Sequence, residues 1–256
     1  MIQQNRVFSI RGLSGRSTKP IQLSARELGR CRLDDFCPRC YWLSKRCSMS
    51  AENPFHVRMP GVLSVFDKMI KESVKTSFTA NRSLPQWLRE KLGHLPVAAV
   101  KEPPWWEVRI GDALLKGQAD ALWVLADGSV FIAEYKMARL TEAQKALFPL
   151  YEAQLKAYAY LAQNHSLRVG GLALVYLEPR HGIDAPLFPG SSSGRLSIEF
   201  SCTVRLIESW SPQEVEEMTA ELARILSEPA PPKGRENCRA CSDLEAWLSS
   251  LRQFVR

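Results

Sequence analysis

Long apolar runs are missing from this chain of 256 residues. None approaches the roughly 18 consecutive residues that a membrane-spanning helix needs. The opening "MIQQNRVFSIRGLSGRSTKP" carries basic residues but lacks the apolar centre of a secretory leader, so the chain reads as soluble and cytoplasmic, with no membrane partner. Internal repeats are absent too, which argues against solenoids and propellers. Compositional extremes are likewise lacking. Hydrophobic residues make up 45% and charged residues 24%, ordinary globular values that allow one sizeable domain or two small ones.

What is present begins with charge. Lys and Arg outnumber Asp and Glu by 34 to 27, a formal net charge of +7. Basic residues include Arg58 and the cluster Lys68, Lys71 and Lys75 in "KMIKESVK". Such an excess favours a polyanion such as nucleic acid, because phosphate contacts release counterions. Solubility alone would also account for it.

Seven cysteines are an odd number, and four fall in two Cys-x-x-Cys pairs, Cys37 with Cys40 and Cys238 with Cys241. In a chain without a leader this predicts thiolate metal ligation rather than a disulfide framework. The pairs lie too far apart in sequence for a zinc finger or ribbon. They predict a clasp that joins the amino-terminal helix to the carboxy-terminal tail, around either tetrahedral Zn²⁺ or a [4Fe–4S] cluster. Cys31, Cys47 and Cys202 are spare, and Cys202 sits in an apolar strand as a core residue would.

Periodicity predicts the elements. Ser24 and Glu27 have capping-box spacing, so a helix should begin near Ala25. "VLSVFDKMIKESVKTSF" and "LPQWLREKLG" read as helices, and "WWEVRIGD", "LLKGQADALWVL" and "GSVFIAEYK" as strands. "TEAQKALFPLYEAQLKAYAYLAQN" reads as one helix. "GGLALVYLEP" and "RLSIEFSCTVRL" are further strands, and "SPQEVEEMTAELARILSEP" is a helix with a second capping box, Ser211 and Glu214. The order implies an α/β fold with a mixed central sheet flanked by helices. Residues 1–20 read as a flexible arm and 21–256 as a single domain, with its core at about 100–206.

One strand ends oddly. Val130 to Ala133 are apolar, yet Glu134 and Lys136 follow on one face of the strand. Asp120 is a second carboxylate in an apolar strand, across the turn at Asp127-Gly128. A two-residue hairpin loop would set Asp120 opposite Tyr135, on the wrong side. A three-residue loop over Ala126, Asp127 and Gly128 sets it opposite Glu134, with Gly128 supplying a positive φ. Two adjacent carboxylates repel, and a hard divalent cation, Mg²⁺ or Mn²⁺, removes the conflict. Lys136 beside it could orient water or neutralise charge on a phosphate oxygen, a set suited to phosphodiester cleavage. A structural ion pair of Lys136 with either acid is the alternative.

The stretch "GQADALWVLADGSVFIAEYK" resembles the Asp…Glu-x-Lys core of the PD-(D/E)XK nuclease superfamily. "AQLKAYAYL" is similar to the Gln-x-x-x-Tyr helix of its RecB-like branch, which includes the CRISPR adaptation nucleases. "LSARELGRCRLDDFCPRCYWL" resembles that branch's opening helix and Cys-Pro-Arg signature. The resemblance runs over about residues 22 to 241. It implies a restriction-endonuclease-like core, with Asp120, Glu134 and Lys136 catalytic and Gln154 and Tyr158 beside them. It implies a metal on Asp120, Glu134 and the Tyr135 carbonyl, and a cluster on Cys37, Cys40, Cys238 and Cys241. It further implies exonuclease or end-trimming action on single-stranded DNA or duplex ends, with partners in DNA repair or CRISPR adaptation. The chain departs from the pattern twice. Its cysteines divide two and two, where the branch has one in front and three behind. No metal-binding His stands in "MPGVLSVFDKMIKE"; Asp67 is the nearest acidic substitute, or else an ion-pair partner of Lys71, and His56 reads as a loop residue. The first departure leaves iron–sulfur or zinc open at the clasp, and the second leaves open a catalytically weak or inactive nucleic-acid-binding module; a subunit of a larger DNA-processing complex is a further alternative. Trp105, Trp106, Trp123 and Tyr135 are aromatics near the site that could stack bases or pack in the core.

Overall fold

The computed structural model describes residues 20–46, 61–180, 198–207 and 210–254. The expected arm up to residue 19, and Cys47, His56 and Arg58, lie outside the described residues. In chain order the elements are β1 (Ile21–Ser24), α1 (Ala25–Leu28), a 3₁₀ turn (Gly29–Arg32), α2 (Pro38–Arg46), α3 (Gly61–Asn81) and α4 (Gln86–Leu92). The strands β2 (Val97–Lys101), β3 (Trp106–Ile110), β4 (Ala113–Gly117), β5 (Ala121–Leu125) and β6 (Val130–Lys136) follow. Then come α5 (Glu142–Lys145), α6 (Phe148–Asn164), β7 (Val169–Pro179), β8 (Phe200–Ile207), α7 (Pro212–Ser227) and α8 (Arg239–Phe254).

The architecture is the mixed α/β one that the order of elements implies. Its central sheet has five strands in the order β2-β5-β6-β7-β8; β6 and β7 are parallel and the other neighbours antiparallel. A second sheet of three strands, β1-β4-β3, is not foreshadowed by the sequence pattern. It carries β1 parallel to β4 and β4 antiparallel to β3.

Alternation along β6 divides the core in two. Val130 and Ile132 face a cluster built with α6, α7 and the three-stranded sheet, including Leu155, Leu161, Met218 and Leu222. Phe131, Ala133 and Tyr135 face the other way, onto Val74 and Phe78 of α3 and Leu88 of α4. The side chains of the central strands are thus buried on both faces, as expected of a strand parallel to a neighbour and covered by helices.

Local chemistry sets the boundaries. At the start of α1 the Ser24 N–H donates to Glu27 Oε2 at 2.9 Å, the expected reciprocal cap. At α7 the outcome differs: Ser211 occupies the cap position without a side-chain hydrogen bond. Glu214 instead accepts from Lys156 Nζ at 2.9 and 3.1 Å, since a buried ammonium is the stronger donor. The segment read as one helix from Thr141 to Asn164 is two, α5 and α6, parted at Ala146 and Leu147. Pro149 lies in the first turn of α6 and cannot supply a backbone N–H to a continuous helix. Gly29 lets the turn after α1 lie directly on α6: a Cβ there would stand 2.2 Å from the Leu150 carbonyl oxygen.

Candidate active site

The β5–β6 hairpin places the acidic residues. Leu125 N–H donates to Ser129 O at 2.8 Å and Gly128 N–H to Leu125 O at 2.9 Å, which closes a loop of Ala126, Asp127 and Gly128. Gly128 has φ +79°, and Asp127 Oδ1 accepts from the Ser129 N–H and hydroxyl. The pairs Ala121–Ala133, Leu122–Ile132, Trp123–Phe131 and Val124–Val130 follow. Continued by one residue, this register sets Asp120, at the bend before β5, opposite Glu134.

Glu134 is almost wholly buried, at 6% exposure. Its Oε1 accepts from Lys136 Nζ at 2.8 Å and from Gln154 Nε2 at 2.8 Å. Its Oε2 is buried with no hydrogen-bond partner. Burial first, and the adjacent Asp120 charge second, push the Glu134 carboxyl up to about 7 against the pull of Lys136. Gln154 also donates to Tyr158 Oη at 2.8 Å, and burial pushes that phenol up. Lys136 Nζ lies 3.4 Å from Gln154 Oε1 and 4.5 Å from the centre of the Tyr151 ring. Tyr151, Gln154 and Tyr158 form one stripe of α6. Only the last two stand out in the sequence by motif, although the i, i+3, i+7 spacing marks Tyr151 as well.

Asp120 is held by different partners. Oδ2 accepts the Tyr135 N–H at 3.0 Å, and Oδ1 lies 2.8 Å from Lys71 Nζ of α3. The same ammonium lies 2.9 Å from Asp67 Oδ2, one turn earlier on α3. Partial burial opposes the charge on Lys71, but Asp120 and Asp67 outweigh it and hold the amine above the ordinary lysine value. Asp67 thus meets the centre through Lys71. The Lys71–Asp120 contact has no signal in the sequence, which shows only the i, i+4 pair. Of the aromatics, Trp106, Trp123 and Tyr135 are buried and Trp105 is 60% exposed.

A divalent cation fits this donor set. Lys136 serves only Oε1 of Glu134; Oε2, buried without a proton donor beside a second carboxylate, is where such an ion would add positive charge.

The cysteine segments come together. Cys37 precedes α2 and Cys40 lies in its first turn; Cys238 precedes α8 and Cys241 lies in its first turn. The four Sγ atoms lie within 4.8 Å of one another, the one such ligating group among the described residues. The closest sulfur pairs are 3.4 to 3.6 Å apart. Zn–S bonds of about 2.3 Å in a tetrahedron separate the sulfurs by about 3.8 Å, so the set fits one ion. Desolvation opposes ionisation of Cys37, but N–H donors from Cys40 and Arg235 and the neighbouring thiols bring it down to about 6. Trp42 Nε1 donates to Glu228 O at 3.0 Å and Arg46 to Leu226 O, binding α2 to the end of α7.

Residues 60–243, more than two thirds of the chain, match the PD-(D/E)XK nuclease superfamily. The chain belongs to that superfamily. No curated protein matches it. Among solved structures it is similar to SSO0001, with a TM-score of 0.41, 13% identity and cover of 83% of this chain and 79% of that one. It is similar to the alkaline exonuclease LHK-Exo from Laribacter hongkongensis, with a TM-score of 0.38, 11% identity and cover of 91% and 93%. A candidate exonuclease from Eubacterium rectale has a TM-score of 0.39, 14% identity and cover of 74% and 76%. Membership rests on the sequence match and not on these structures. No described helix is long and apolar enough to cross a membrane.

Proposed function

We propose that the protein is a divalent-metal-dependent deoxyribonuclease of the RecB-like branch, trimming single-stranded DNA or duplex ends. Asp120, Glu134 and the Tyr135 carbonyl would hold Mg²⁺ or Mn²⁺. That ion, when bound, polarises a phosphoryl oxygen and acidifies its water. Gln154 and Lys136 fix one oxygen of Glu134 and leave the other free. Lys136, with its side chain 15% exposed, brings a positive charge to where a phosphate oxygen would gain negative charge. The observation that carries the reading is the partnerless buried oxygen of Glu134 next to Asp120.

The test is cleavage of end-labelled single-stranded and duplex DNA with Mg²⁺ or Mn²⁺. Lys136→Ala is expected to slow cleavage by about 10²- to 10⁴-fold while binding persists. Equal rates would remove Lys136 from the mechanism. The Lys71–Asp120 ion pair favours a second reading, a nucleic-acid-binding module with little activity or a subunit of a larger DNA-repair or adaptation complex. Binding without cleavage by the wild type would support it.

The clasp reading concerns Cys37, Cys40, Cys238 and Cys241. Their sulfur spacing supports Zn²⁺ over a [4Fe–4S] cluster, in which each thiolate caps a separate iron and the sulfurs stand farther apart. Metal analysis of anaerobically purified protein, with its visible spectrum, decides between them. One zinc per chain and no visible band is expected; iron with a broad band would overturn the zinc assignment.

A further inference from the structure

We infer that Lys71 is a resident competitor for the divalent cation: its ammonium, lodged between Asp67 and Asp120, must release Asp120 before an ion can bind there. The inference rests on the metal reading above and goes beyond it.

The two lysines at the centre differ in freedom. Lys136 is enclosed by Glu134, Gln154 and the Tyr151 ring. Lys71 has a side chain 37% exposed and reaches the carboxylates from solvent on a flexible stem. Its backbone is fixed, because Val74 and Phe78 continue the same face of α3 into the core. Swinging the ammonium out needs a rotamer change and no movement of the helix. In the closed arrangement both oxygens of Asp120 are occupied, Oδ1 by Lys71 and Oδ2 by the Tyr135 N–H. Glu134 Oε2 meanwhile has no partner. One monovalent charge therefore compensates Asp120 and Asp67 and leaves the buried Glu134 oxygen unserved. A divalent ion bridging Asp120 and Glu134 would serve both, at the expense of the Lys71 pairs. Apparent metal affinity then falls in proportion to the fraction of molecules in which Lys71 is displaced.

The experiment is Mn²⁺ binding to the full chain, by calorimetry and by the electron paramagnetic resonance of free Mn²⁺. Lys71→Met, which keeps the stem without the charge, should bind Mn²⁺ roughly tenfold more tightly than wild type. Lys71→Arg keeps the charge and should bind no more tightly than wild type. Without added divalent ion Lys71→Met should melt at a lower temperature, and Mn²⁺ should raise its Tm more than that of wild type. A structural role alone predicts the lower Tm but no gain in affinity. Equal or weaker binding by Lys71→Met, or equal tightening by Lys71→Arg, overturns the competitor and leaves the metal reading intact. Folded wild type and Lys71→Met that both fail to bind Mn²⁺ overturn the two together.

Discussion

Replacing Glu134 by Gln tests the central electrostatic claim without requiring activity. The carboxyl is raised from an ordinary 4.5 to about 7, by burial first and then by Asp120. The folded protein therefore holds a proton over a range in which the unfolded chain has released it. Stability from this group is fully present below about pH 4.5 and is lost as the pH rises through about 7. The whole displacement is worth about 3 kcal/mol. No discount for solvent applies, since the Glu134 side chain is only 7% exposed. Glu134→Gln cannot titrate, and its amide resembles the protonated acid in shape. Urea denaturation of both proteins at a series of pH values, without added divalent ion, measures the effect. Contributions from groups away from this centre cancel in the difference, while Asp120 and Lys136, which interact with Glu134, titrate together with it. Wild-type stability relative to the variant should fall by about 3 kcal/mol between pH 4.5 and 7.5. With saturating Mn²⁺ that fall should shrink, because a cation on the carboxylate favours its ionised form. Parallel profiles would refute the reasoning, and a difference that grows with pH would reverse its sign.

Under the clasp reading, Cys40→Ser should lower the metal content of the purified protein and its unfolding midpoint. The link closes a loop of about 200 residues, worth up to about 5 kcal/mol in the chain-entropy account, and metal analysis with denaturation checks both. Gly29→Ala would press a Cβ against the Leu150 carbonyl at 2.2 Å. Because the obstacle is backbone, α1 and α6 must separate, at about 1–3 kcal/mol or more; an unchanged Tm would contradict this close approach.

The hairpin that carries Asp120 and Glu134 was legible because its determinants are local. Gly128 can take a positive φ, the apolar residues alternate, and the number of loop residues decides which side chains oppose. The helix face with Gln154 and Tyr158 was legible for the same reason. The division into helices and strands was legible only in part: β2 has no counterpart in the sequence reading, and "LLKGQADALWVL", read as one strand, is β4 and β5, which belong to different sheets. Apolar spacing carries across Pro149, so periodicity alone joins α5 to α6 even though the proline is plain in the sequence. The second sheet was hidden because β1 pairs in parallel with β4, a partner about ninety residues on that no local turn specifies.

The donors around Asp120 were hidden by the same kind of distance. On α3 the i, i+4 rule pairs Lys71 with Asp67 and says nothing of a third partner. Only packing of Val74 and Phe78 against the far face of β5 and β6 brings the Lys71 ammonium to the end of the hairpin, where Asp120 leaves the strand. A charge reading taken along the chain therefore gives the carboxylates and Lys136 but leaves Asp120 uncompensated. That deficit made a metal look necessary at both acids. In three dimensions each acid has one ammonium, but both oxygens of Asp120 are served while Glu134 Oε2 has no donor, so the demand for a cation is concentrated on that oxygen. Glu134→Gln should consequently weaken Mn²⁺ binding more than Asp67→Asn does, since Asp67 meets the centre only through an amine that binding displaces. Equal losses in the two variants, measured by calorimetry, would place Asp67 among the ligands and return the Lys71 pair to a surface role.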